Sequence, residues 1–127
     1  MKGLVTSLWV GLGGFLGANA RYWLGGWVAQ RWGTEFPWGT VLINITGSFI
    51  LGLFATVTTE RFQVPSQLRL LVAIGFVGAY TTFSTFEYET LKLVESGSVG
   101  RALANLLGSV LVGFTAVFLG ARLGRLI

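Results

Sequence analysis

Charged residues divide the chain into long uncharged stretches. Residues 3–20 separate Lys2 from Arg21, residues 36–59 separate Glu35 from Glu60, residues 70–86 separate Arg69 from Glu87, and residues 102–121 separate Arg101 from Arg122. A helix that crosses a bilayer needs roughly 20 apolar residues, within a range of about 17–25. Each stretch meets that requirement, the third at its lower edge. The pattern predicts an all-α membrane protein of one domain, 1–127, with four transmembrane helices near 3–30, 36–59, 66–95 and 98–125. Lys2 ahead of an apolar run also fits a secretory signal. Gly11, Gly13, Gly14 and Gly17 interrupt that run, however, and the later stretches need a membrane in any case.

Small residues recur at four-residue spacing: Gly13 and Gly17, Gly14 and Ala18, Ser48 and Gly52, Gly75 and Ala79, then Ala116, Gly120 and Gly124. In lipid, helices associate by close backbone approach at such positions. The spacing predicts a tightly packed bundle and is silent on function.

Composition narrows the chemistry. The chain is 53% hydrophobic and 11% charged, against about 25% charged in soluble domains, and its mean hydropathy is +0.71. It has no Cys and no His, which excludes disulfides, thiol nucleophiles, thiolate metal sites and the usual proton shuttle. It has no Asp, and its five Glu lie outside the uncharged stretches. An intramembrane acid for proton coupling and a carboxylate ring for cations are therefore not expected. No nucleophile–base pair points to an enzyme. The net charge of +4 comes from basic residues near helix ends, so membrane lipid headgroups are the expected partner and nucleic acid is not.

The positive-inside rule gives little orientation. Lys2, Arg61, Arg69, Arg122 and Arg125 gather on one side, and Arg21, Arg31, Lys92 and Arg101 on the other. Such a near balance favours dual topology, and with it an antiparallel homodimer about a two-fold axis in the membrane plane.

Some polar residues fall where apolar ones belong. Asn44 lies well inside the second helix, where an amide needs partners. It either bonds to another helix or lines a polar path. Arg21, near the far end of the first helix, either snorkels to the interface or sets a positive charge at a pore mouth. Residues 78–90 read GAYTTFSTFEYET. Gly78 and the following weak helix formers predict an interruption of the third helix near 78–82. Unwound backbone there frees carbonyls able to hold a cation such as Na⁺. Phe83 and Phe86 share a face beyond the break, with Ser84 and Thr85 between them. Ring edges are positive, so Phe edges beside hydroxyl donors suit a small anion.

The segments GGFLGANARY (13–22), GTVLINITGSF (39–49) and GFVGAYTTFSTFEYE (75–89) resemble those of the small bacterial fluoride channels, the Fluc/CrcB family. The resemblance covers the chain in length and four-helix layout. It implies passive fluoride export through two antiparallel pores of a dual-topology homodimer in the bacterial cytoplasmic (inner) membrane, relieving fluoride toxicity. It implies that Asn44, Phe83, Phe86, Ser84, Thr85 and Ser109 form the fluoride pathway, with Arg21 at its mouth. It also implies that the Gly78 and Thr81 carbonyls hold a structural Na⁺ at the dimer centre, and that Asn105 stands where the family often has Tyr. Two rivals remain. A small multidrug exporter shares the layout but requires a carboxylate in the first helix, and residues 3–20 contain none. A non-transporting membrane assembly subunit explains the glycines but not the polar stripe.

Overall fold

Hydrocarbon offers the backbone no hydrogen-bond partners, so an apolar stretch that enters it closes on itself as helix. The computed structural model describes all 127 residues and contains only helices and their connections. Helix α1 is Lys2–Trp32. Helix α2 is Trp38–Thr56 and widens into a π-helical turn over Val57–Arg61. Helix α3, residues 66–80, opens with one α-turn at Ser66–Arg69, is π-helical over Leu70–Val77 and ends in the short α-turn Gly78–Tyr80. Helix α4 is Phe83–Glu95 and α5 is Val99–Leu126. Together α3 and α4 make one span, Ser66–Glu95, so four helical spans are long and apolar enough to cross a membrane. The third runs on beyond its uncharged stretch through Glu87 and Glu89 to Glu95, the extent that the sequence predicts.

The spans pack where side chains are smallest. Along α1, Gly13 and Gly17 meet the backbone of α3, and a Cβ on Gly17 would stand 2.1 Å from the Phe76 carbonyl oxygen. Along α5, Gly120 meets α2, and a Cβ there would stand 2.3 Å from the Phe49 carbonyl oxygen. The pair Gly14 and Ala18 is looser, since a Cβ on Gly14 would reach only ordinary contact with Ala79. Between spans, Gly97 adopts a φ of 83°. It closes α4 as its Ser98 and Gly97 amides bond back to the Leu93 and Val94 carbonyls at 2.9 and 3.0 Å. Replacing Gly120 with Ala is expected to destabilise the protein by ~1–3 kcal/mol through overpacking. Gly11→Ala, which would meet nothing within 4 Å, should be neutral or stabilising by up to ~1 kcal/mol. Thermal melting in detergent checks both, and equal melts would remove the close-approach argument.

Only 19 of the 127 residues are buried. Large apolar side chains such as Leu4, Phe15, Leu111 and Phe114 face outward, as expected where lipid or a further subunit replaces water. Trp23, Trp27, Trp32 and Trp38 cluster at the α1–α2 end, exposed, with the Arg31 guanidinium 5.6 Å from the Trp27 ring centre. That end matches an interfacial aromatic belt.

Candidate functional site

The third span breaks where its donors are taken by side chains. Gly78 is itself helical, with φ −60° and ψ −37°. Its flexibility, the expected cause of the break, is therefore not what interrupts the chain. The backbone leaves the helix at Thr81 (φ −82°, ψ 157°) and Thr82 (φ −150°, ψ 115°). An unbroken helix would give the Thr82 N–H to the Gly78 carbonyl and the Thr85 N–H to the Thr81 carbonyl. Here the Thr82 N–H donates to Asn44 Oδ1 at 2.8 Å. The Thr85 N–H donates to Thr82 Oγ1 at 3.3 Å, which caps α4. Both carbonyls thus lose their helical donors. Of the two carbonyls between them, that of Ala79 accepts from Arg21 Nε at 3.0 Å.

Asn44 holds both sides of one residue. While its Oδ1 accepts from the Thr82 N–H, its Nδ2 donates to the Thr82 carbonyl at 3.1 Å. The amide replaces two helical hydrogen bonds with two from α2. Both readings of Asn44 meet in this one group, since it joins two spans and also lines a cavity. An amide nitrogen carries two hydrogens, so one remains for that cavity.

The cavity is about 290 Å³ and lies between α2, the break and α5. Asn44, Ser48, Thr82, Phe83, Phe86 and Ser109 contribute to its wall, and no charged residue does. The Phe83 and Phe86 rings stand edge to face, 6.0 Å between centres and 64° between planes. Phe86 is 5% exposed, whereas Phe83 is 73% exposed and leaves the cavity open on one side. Ser84 and Thr85 are not in the wall. Ser84 is exposed, and Thr85 is engaged with Thr82 through both its amide and its hydroxyl. Arg21 lines neither this cavity nor the larger one described below. Ser109 reaches the wall from α5, and behind it Asn105 is 1% exposed.

Sequence reasoning passed over several residues. Tyr80 is buried, and its hydroxyl meets Thr46 Oγ1 at 2.8 Å. Thr90 bonds to Asn105 across the α4–α5 contact. Glu89 lies with Thr40, Lys92 and Arg101 along a larger cavity of about 690 Å³ at the Trp-rich end, and its Oε1 is buried without a hydrogen-bond partner. Thr82, Phe86, Glu89 and Leu93 follow one another at helical spacing. The first two line the smaller cavity and the last two the larger, so one face of α4 connects them. That spacing was the available signal.

Comparison with known proteins identifies the relatives of this arrangement. A family model described as "CrcB-like protein, Camphor Resistance (CrcB)" matches residues 8–121. The chain is 54% identical over 114 residues to a protein of Koribacter versatilis named fluoride-specific ion channel FluC, covering 90% of each. It is 49% identical over 118 residues to the protein of the same name from Acidobacterium capsulatum, covering 93% of this chain and 94% of the relative. To that of Thermus thermophilus it is 44% identical over 122 residues, covering 96% and 95%.

Proposed function

The chain belongs to the CrcB-like family, whose curated relatives are named fluoride-specific ion channels, and from that premise we propose that it lets fluoride leave the cell passively through the polar cavity at the break in the third span. It is a multi-pass membrane channel and not an enzyme. The observation that carries the pathway is an uncharged wall in which the Asn44 amide, the Ser48, Thr82 and Ser109 hydroxyls and the Phe83 and Phe86 rings stand among the apolar Leu51, Val77 and Val110. Fluoride is small and strongly hydrated, so an apolar pore excludes it and a fixed cation retains it. The free Asn44 hydrogen and the Phe83 and Phe86 ring edges replace part of its water without full charge, and the Ser109 hydroxyl joins them once its hydrogen turns from Asn105. Fluoride enters acidified cells as neutral HF and ionises inside. The membrane potential then drives the anion out, at about 2.3 kcal/mol per charge per 100 mV.

A second copy completes the path. Polar backbone and side chains at membrane depth need cover by protein, yet Phe83 leaves this cavity open. An inverted copy of the same chain supplies that cover, and the nearly even basic residues at the two ends allow either insertion. The diverted Thr82 and Thr85 amides favour a Na⁺ held by the Gly78 and Thr81 carbonyls, each copy giving two. Bound there, the ion would neutralise the carbonyl dipoles of the break and tie the two copies together. Arg21 already partners the Ala79 carbonyl, so that oxygen is not offered to the ion. Against a proton-coupled exporter stands the first span, which has no carboxylate.

One preparation tests all three parts. Purified protein in liposomes should release trapped fluoride to an electrode, and should lose that activity or its dimeric elution position after exhaustive Na⁺ exchange. A single Cys at the C-terminus should label from both sides of a membrane. No fluoride release removes the channel, one-sided labelling removes the inverted pair, and full activity without Na⁺ removes the ion.

A further inference from the structure

We propose that Asn105 is a positioning residue for conduction: its buried amide decides whether the Ser109 hydrogen points into the bundle or into the cavity. The inference rests on reading that cavity as the fluoride path. Asn105, on the face of α5 toward α4, is 1% exposed, and it makes two bonds of a chain of three. Ser109 Oγ donates to Asn105 Oδ1 at 3.2 Å, Asn105 Nδ2 donates to Thr90 Oγ1 at 2.9 Å, and Thr90 Oγ1 donates to the Phe86 carbonyl at 2.8 Å. In this arrangement the single Ser109 hydroxyl hydrogen is committed to Asn105. Serine then offers the cavity only lone pairs, which repel an anion.

A half-turn of the amide reverses the direction of the chain. A carboxamide has a donor at one end and an acceptor at the other, and a hydroxyl can serve as either. After the turn, Thr90 swings its hydrogen from the Phe86 carbonyl to Asn105 Oδ1, and Nδ2 donates to Ser109 Oγ. The Ser109 hydrogen is released toward the cavity that Ser109 lines. The Phe86 carbonyl keeps its helical partner, the Thr90 N–H within α4. The chain holds three bonds in either direction, but in the reversed direction the third is to the ion. The reversed state is therefore balanced only while fluoride is present, and the resting direction returns when it leaves. A donor assembled in this way turns toward fluoride on arrival and away when it leaves, which suits conduction. Leucine or aspartate at 105 cannot reverse, because neither combines a donor with an acceptor.

The test is a double-variant cycle in liposomes, reading initial fluoride efflux at several internal concentrations, with melting temperature and gel-filtration position alongside. Asn105→Leu should lower the maximal rate about tenfold, which is the weight of one ordinary hydrogen bond. Ser109→Ala should do the same, and the double variant should be no worse than either single change beyond about twofold, because the two act as one unit. If Asn105→Leu does not elute as wild type, Asn105→Asp replaces it in the cycle. Aspartate accepts from both Thr90 and Ser109 and so keeps both hydroxyls partnered. Its carboxylate also repels the passing anion, so it should lower efflux in both backgrounds, and by a larger factor in the Ser109 background than in the Ser109→Ala background. Wild-type rates in the Asn105 variants, or losses that multiply in the double variant, overturn this inference and leave the channel standing. Wild-type liposomes that retain their fluoride overturn the channel reading and the inference with it.

Discussion

Asn44→Asp is expected to lower fluoride efflux about 100-fold, and the reason lies in what the amide does to Thr82. Asn44 Oδ1 accepts from the Thr82 N–H and Nδ2 donates to the Thr82 carbonyl. Aspartate keeps the first bond and loses the second. It sets an acceptor against the Thr82 carbonyl oxygen, in a wall with no other charge. A buried group left without its partner costs about 1–3 kcal/mol, and a carboxylate also repels the anion that must pass. About 100-fold corresponds to ~2.7 kcal/mol, within the range of those effects combined. Asn44→Leu separates the roles, since it loses both bonds while adding no charge. It should lower the melting temperature more than Asn44→Asp does, because the Thr82 N–H is then orphaned as well. Efflux and melting temperature on the same samples decide the matter. Near-normal efflux in Asn44→Asp would mean that the amide neither shapes the path nor faces it.

How much of this was legible in the sequence differs from residue to residue. The four spans were readable because a charge at membrane depth is costly, so gaps between charges mark the helices. In the third span the gap stops at residue 86, but the predicted helix, 66–95, already runs to Glu95, where α4 ends. A carboxylate on a half-covered face can look into a cavity, as Glu89 does, and gap counting does not register that. The π-helical stretch at Leu70–Val77 left no trace, because in a uniformly apolar segment no change of face shows a change of pitch. The break was foreseen in GAYTT, and assigned to Gly78 and the weak helix formers that follow it. Its cause is Asn44, 38 residues away, which captures the Thr82 amide. A local reading of propensity could find the weak point but not the residue that exploits it. Ser84 and Thr85 were grouped with the path because they are hydroxyls between two rings. In the single chain Ser84 faces outward and Thr85 is engaged at the cap, so a place for Ser84 on the path needs the inverted copy. Thr90, which does join the polar chain through Asn105, was hidden by its ordinary spacing within a helix.

Phe83→Ile and Phe86→Ile are each expected to cut efflux by at least about tenfold, and the two rings make this prediction sharper than the sequence allowed. Isoleucine keeps apolar bulk and removes the positive ring edge. If the rings serve only to pack, their burial sets the outcome. Phe86 is 5% exposed and Phe83 is 73% exposed, so packing alone predicts a loss of stability for Phe86→Ile and little effect of any kind for Phe83→Ile. Volume-conserving changes in a core usually cost less than about 1.5 kcal/mol, so the Phe86 variant should still assemble. If ring edges meet fluoride, burial does not rank the two, and Phe83→Ile should lose efflux without losing stability. A factor of ten equals about 1.4 kcal/mol at the transition state, comparable to the attraction of one ring edge for an anion that has shed part of its water. Phe83 is therefore the deciding position: in a single chain it supports almost nothing, and only the passage of an anion, or its cover by an inverted copy, gives that ring a task. Isoleucine at 83 separates these two, because it keeps apolar contact with a partner and carries no edge. The measurements are efflux by electrode, elution position by gel filtration, and melting temperature. Normal efflux in Phe83→Ile with an unchanged elution position would show that the ring lies off the path.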